Sequence, residues 1–134
     1  MFFVTKRVTL LIPSGTVEDP RRKHLFVCVT DPVGIGNDVL LVSVSSLLPS
    51  RPYDGTCRLY AGNHPFIRHD SYVVYARARI ECADKLVDGV KQCLLIPQQA
   101  LDGSVFARIC QGFQESRFVT PKIRSFFESV YRSP

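Results

Sequence analysis

The chain has no run of the roughly eighteen consecutive apolar residues that a membrane-spanning helix needs, so a transmembrane span and a membrane partner are not expected. It also lacks a cysteine framework. Cys28, Cys57, Cys82, Cys93 and Cys110 are odd in number, irregularly spaced and without a C-x-x-C pair. That usage points to reduced thiols in a cytoplasmic protein rather than to a disulfide scaffold. The close ligand pairs typical of zinc sites are missing too, and neither a metal nor another cofactor is expected. Met1 to Val4 is apolar, but Lys6 and Arg7 interrupt it at once, without the long apolar middle and small-residue cleavage site of a signal peptide. Repeats and low-complexity tracts are absent. Cys28 and Cys110 fall within apolar patterns and are expected as buried filler.

What is present suits one domain. At 134 residues the chain is long enough to bury a core without staples, and 46% of it is apolar. Its net charge of +5 and pI near 9.1 are compatible with a polyanionic partner, nucleic acid above all, although many proteins with this balance bind none.

Strand-like patterns fill positions 2–96 and helical ones 97–132. Phe2 to Ile12 is β-rich and stops at Pro13-Ser14-Gly15, and a polar link runs from Glu18 to Lys23. His24 to Thr30 and Val39 to Val44 read as buried strands, and the short Gly/Pro/Asn/Asp-rich turn between them favours an antiparallel pair. Cys57 to Tyr60, Ser71 to Ile80 and Lys91 to Ile96 supply further strands, with a helical turn starting in Glu81 to Leu86. The period then changes. Leu101, Val105, Ile109 and Phe113 recur every four residues, and Thr120-Pro121 offers an N-cap with proline at the first helical position. Ile123, Phe126, Phe127, Val130 and Tyr131 form the apolar side of the last helix. Strands first and helices last predict an α+β fold, its short antiparallel strands closed as a small barrel that hides sheet edges.

The most informative segment is Gly62 to Val73, a Gly/Pro-marked loop carrying His64, Arg68, His69, Asp70 and Ser71 onto the shoulder of a strand. Polar, titratable loops held by a scaffold are common places for function. Asp70 could orient His69 or cap a turn.

In order, these pieces resemble the MazF/PemK family of toxin endoribonucleases from type II toxin–antitoxin modules. The resemblance rests on Arg22-Lys23-His24 before the strand Leu25 to Val29, and on Val39 to Val44 ending in Ser45-Ser46. Ser71-Tyr72-Val73 then leads to Arg79-Ile80-Glu81 and Ala83-Asp84-Lys85-Leu86. It covers about residues 20–90. The Arg-Pro dipeptide and Gly-Asp opening of the family pattern are absent, and the loop Asn63-His64-Pro65 is an addition. The resemblance implies an SH3-like barrel with C-terminal helices, metal-independent cleavage of single-stranded RNA, a homodimer and a cognate antitoxin partner. It maps the phosphate-binding cation to Arg22 or Lys23 and the hydroxyl to Ser45, with Ser46 beside it.

Metal-free RNA cleavage needs a base for the 2′-hydroxyl, a cation for the phosphorane and an acid for the leaving oxygen. Histidine titrates near working pH, and the arginine fork matches phosphate oxygens. The catalytic candidates are Arg22 and Ser45, which the resemblance implies, and His64 and His69, which rest on that chemistry alone. Lys23, Ser46, Arg68, Arg77, Arg79 and Tyr60 are the candidates for nucleic-acid binding. Each has a plainer reading: a solvated basic link for Arg22 and Lys23, a strand-end turn for Ser45-Ser46, loop packing for His64 and His69, a solvated strand face for Arg77 and Arg79. His24, at the start of a buried strand, is read as a packed histidine. Tyr53, Tyr60, Phe66, Tyr72 and Tyr75 could stack on bases or build core. The alternatives to a nuclease are a non-catalytic SH3-like module binding nucleic acid or protein, and an interaction protein with no nucleic-acid role.

Overall fold

The computed structural model describes residues 2–14 and 22–132. Six strands run β1 (Thr9–Pro13), β2 (Lys23–Cys28), β3 (Asp38–Ser46), β4 (Arg58–Leu59), β5 (Ser71–Cys82) and β6 (Ile96–Gln98). Three helices, α1 (Ala83–Lys91), α2 (Gly103–Glu115) and α3 (Pro121–Arg132), complete the chain. The strands form one sheet in the order β4-β5-β3-β2-β1-β6, every neighbouring pair antiparallel. The sheet curls into a half-barrel, so the expected small α+β fold is what the chain adopts.

Period-two alternation divides the side chains between two faces. Leu25 and Val27 of β2, Val42 and Val44 of β3, and Val73 and Tyr75 of β5 point into the larger core. There they meet Val105, Phe106, Ile109 and Phe113 of α2 and Ile123 and Phe127 of α3. The opposite face carries Leu10, Ile12, Phe26, Cys28, Val39 and Leu41, covered by Ala83 and Leu86 of α1.

The helix ends follow the expected chemistry. Asp102 caps α2 by accepting from the N–H groups of Ser104 (3.0 Å) and Val105 (3.3 Å). Thr120 Oγ1 accepts from Ile123 N–H at 3.4 Å, and Pro121 opens α3. The Arg124 guanidinium donates to the carbonyls of Phe113 and Ser116, satisfying the end of α2. Tyr75 lies against α2, where its hydroxyl donates to the Ile109 carbonyl at 2.8 Å.

Four expectations change. The first strand begins at Thr9 rather than Phe2, because Arg7 sits at φ 78° in the left-handed region and breaks the extended run. Lys91 ends α1 and is not in a strand; β6 starts only at Ile96, after a turn through Cys93 at φ 60°. Because α1 precedes β6, strands and helices are not fully segregated along the chain. Cys28 is buried as expected, whereas Cys110 is only partly so. Of the polar link, positions 18–21 lie outside the described residues.

Among the described residues no ladder joins β4 to β6. The loop after β4 reaches across that gap through His64. Its Nε2 lies 2.7 Å from the Gln99 carbonyl and 3.2 Å from Thr9 Oγ1, while Nδ1 accepts from Phe66 N–H at 3.0 Å.

Candidate functional site

α1 covers only part of its face of the sheet. Along each strand, residues on that face change from apolar to polar where the helix ends: Leu10 and Ile12 give way to Ser14, Cys28 and Phe26 to His24, Val39 and Leu41 to Ser43 and Ser45. The uncovered half is an open groove of about 460 Å³, whose lining includes Ser14, Arg22, His24, Ser43, Ser45, Ser46, Arg51, Tyr53, Tyr72, Arg77 and Arg79.

An irregularity in β5 supplies the two arginines. The β3–β5 ladder steps from Leu41↔Arg79 to Ser43↔Val74, so an advance of two residues on β3 meets five on β5. Inward positions therefore pass from Val73 and Tyr75 to Ala78, with Ile80 packed against the same core. Strict alternation would have put Arg77 and Arg79 beneath α2 and α3; the bulge turns them into the groove beside Tyr72 and Val74. The Arg79 guanidinium lies 4.8 Å over the Phe26 ring. Its Nε is 3.1 Å from Glu81 Oε1 but off the N–H direction, so that contact is an ion pair and leaves the Nε hydrogen without a bonded partner.

His24 is the focus of this groove. Ser14 Oγ lies 2.6 Å from its Nδ1 and 3.3 Å from the Ile12 carbonyl. One arrangement satisfies both contacts: the hydroxyl donates to the carbonyl and Nδ1–H donates to the hydroxyl, leaving the Nε2 lone pair free. Partial burial, then the positive charges of Arg22 and Arg77, hold the imidazole below its ordinary pKa. A histidine so placed stays neutral at neutral pH and is competent as a base.

A second groove of about 660 Å³ adjoins the first and shares Arg22, His24 and Ser46 with it. Its other lining includes Lys23, Leu25, Phe66, Arg68 and His69. No aspartate or glutamate lines either groove among the described residues.

The candidates from sequence thus divide. Arg22, Lys23, Ser46, Arg68 and His69 meet in the second groove; Arg22, Ser45, Ser46, Arg77 and Arg79 meet in the first. His64 is in neither. It is 2% exposed with both ring nitrogens engaged, which suits a structural latch better than a proton carrier. Tyr60 also lies outside both grooves, its ring 5.5 Å from the Arg58 guanidinium. Asp70 pairs with Arg58 at 3.5 Å. The sequence reading missed Ser14, Arg51 and above all His24, which is half-buried in the groove rather than packed in the core. Its signal was present: His24 is two residues from Phe26, on the face opposite Leu25 and Val27.

Among the described residues no group of three or more His, Cys, Asp or Glu side chains is placed to hold a metal ion, and no helix is long and apolar enough to cross a membrane. Comparison with protein-family models, curated proteins and solved structures finds no match.

Proposed function

We propose that this protein is a toxin-like, metal-independent endoribonuclease that binds single-stranded RNA in the groove around His24. The observation that carries the reading is the position of His24, held by Ser14 and flanked by Arg22 and Arg77. A neutral imidazole beside two cations suits a reaction that removes a proton at one oxygen while negative charge builds on the neighbouring phosphate.

In this reaction His24 Nε2 takes the proton from a ribose 2′-hydroxyl. The 2′-oxygen attacks the adjacent phosphorus, and the bond to the 5′-oxygen of the next nucleotide breaks. Arg22 and Arg77 stabilise the equatorial oxygens of the phosphorane, Ser45 donates to the same phosphate, and His69, which lines the adjoining groove with Ser46, supplies its own proton to the leaving oxygen. The products are a 2′,3′-cyclic phosphate and a 5′-hydroxyl. The resemblance to MazF/PemK toxins, which puts the cation at Arg22 or Lys23 and the hydroxyl at Ser45, supports this assignment and extends it to a homodimer restrained by an antitoxin.

The test is incubation of purified protein with single-stranded RNA in excess chelator, followed by analysis of the fragment ends. Fragments ending in 2′,3′-cyclic phosphate and 5′-hydroxyl are expected. Salt-sensitive binding that leaves every RNA intact would make the groove a non-catalytic binding module instead.

A further inference from the structure

The two grooves meet at His24, and the aromatic side chains lie on either side of that meeting point. Tyr53 and Tyr72 belong to the first groove, with ring centroids 5.4 Å apart and planes tilted by 46°. Phe66 belongs to the second. Tyr53 and Phe66 are both 42% exposed, so each offers part of a ring face to solvent. Cations accompany both: Arg51, Arg77 and Arg79 on the tyrosine side, Lys23 and Arg68 on the phenylalanine side.

Phe66 is not on a loose loop. Its backbone N–H is bonded to His64 Nδ1, and Ile67 N–H donates to the His64 carbonyl at 2.9 Å. The imidazole in turn is tied to Thr9 and Gln99 at the other end of the sheet. His64 is thus a positioning residue for the ring beside it.

We infer that the two grooves form one continuous track for a single strand, which stacks one unpaired base on the Tyr53–Tyr72 pair and another on Phe66, on opposite sides of the phosphate at His24. The inference rests on the proposed function for its central phosphate and adds the residues that read the flanking nucleotides. Walls lined by cations, with no carboxylate among the described lining residues and only Arg79 paired to a neighbouring acid, suit a phosphodiester chain, and aromatic faces spaced along it suit bases that are not paired. A duplex keeps its bases stacked within the helix and could not use both platforms at once.

The test uses a random-sequence single-stranded RNA pool, with sequencing of fragment ends, alongside anisotropy on 2′-O-methyl oligonucleotides that cannot be cut. Tyr53→Leu and Phe66→Leu should each weaken oligonucleotide binding by about tenfold, and Tyr53→Phe should retain it. In the pool, the two leucine variants should alter base preference on opposite sides of the cut. Circular dichroism confirms that the variants are folded. If the wild type cuts the pool and both variants change the same side, or neither changes anything, the track is wrong and the nuclease remains. If the wild type binds but does not cut, the nuclease reading fails, while additive losses from the two variants would still support the track. Absence of any binding by the wild type overturns both.

Discussion

Ser14 Oγ and His24 Nδ1 are 2.6 Å apart, and this contact aims the opposite ring nitrogen away from β1. Ser14 follows directly from the end of β1, while His24 is the second residue of β2. Because Ile12 pairs with His24 in the ladder, the register of two strands fixes the imidazole before any ligand arrives. Such preorganisation removes part of the cost of aligning a base with its substrate.

His24 should titrate below about 6.5, and Arg77→Gln should move it upward, both read from imidazole resonances by NMR. The depressed folded-state pKa means that the unfolded chain takes the proton first. Stability should therefore fall as pH drops from about 6.5 towards the folded value, and His24 should contribute no pH dependence above that window. Titration of His24 above 6.5 in the free protein would remove the physical basis of the assignment.

The latch at His64 gives a second expectation. His64→Ala removes the acceptor of the Phe66 N–H and leaves Thr9 and Gln99 without their imidazole partner. With the buried cavity added, the loss should be about 2–4 kcal/mol in urea unfolding. Amide exchange at Phe66 should also speed up. An unchanged unfolding midpoint would show that the loop is held by other contacts.

Gly112 is required by its neighbour. A Cβ there would lie 1.8 Å from the Tyr75 hydroxyl oxygen and 2.4 Å from Cζ. Gly112→Ala should cost about 3 kcal/mol by overpacking. Tyr75→Phe alone should cost about 1 kcal/mol through the lost bond to Ile109. The double variant should be more stable than the sum of the two losses predicts, with only partial recovery because Cζ stays in place. Strict additivity in denaturant titrations would contradict this packing.

Binding to single-stranded RNA should weaken steeply with salt. Alanine at Arg51 or Arg77 should each lower the slope of log affinity against log salt concentration by about 0.7. A slope that neither substitution alters would place the phosphates elsewhere.

Much of the fold was legible because alternation and four-residue spacing report burial directly. The buried strands at Leu25 to Val29 and Val39 to Val44 and the α2 stripe of Val105, Ile109 and Phe113 follow that rule, while Leu101, of the same spacing, is buried just ahead of the α2 cap. The site was harder to read. Its meaning depends on where α1 stops covering the sheet, and that boundary is a tertiary fact. His24 has the same period-two spacing as Phe26 and Cys28, yet those two are buried in the cluster that includes α1, with Phe26 at the edge of the groove under Arg79, whereas His24 is left half-buried in it. The loop at Gly62 to Val73 drew attention for its titratable side chains, but burial divides them: His64 ties the sheet together, whereas Arg68 and His69 face the groove. Only the three-dimensional closure of β1 and β6 against that loop separates the two histidines.

The central claim is that His24 is the base of an RNA-cleaving groove. Its most direct test is the rate of single-stranded RNA cleavage in chelator, measured from pH 5 to pH 8, roughly the range in which histidine changes charge, for the wild type and His24→Gln. The wild type should lose activity as pH falls through the His24 pKa, and His24→Gln should be at least about 100-fold slower at neutral pH while remaining folded. A folded His24→Gln protein that cuts at the wild-type rate, or a wild type that leaves the RNA intact, would contradict the account.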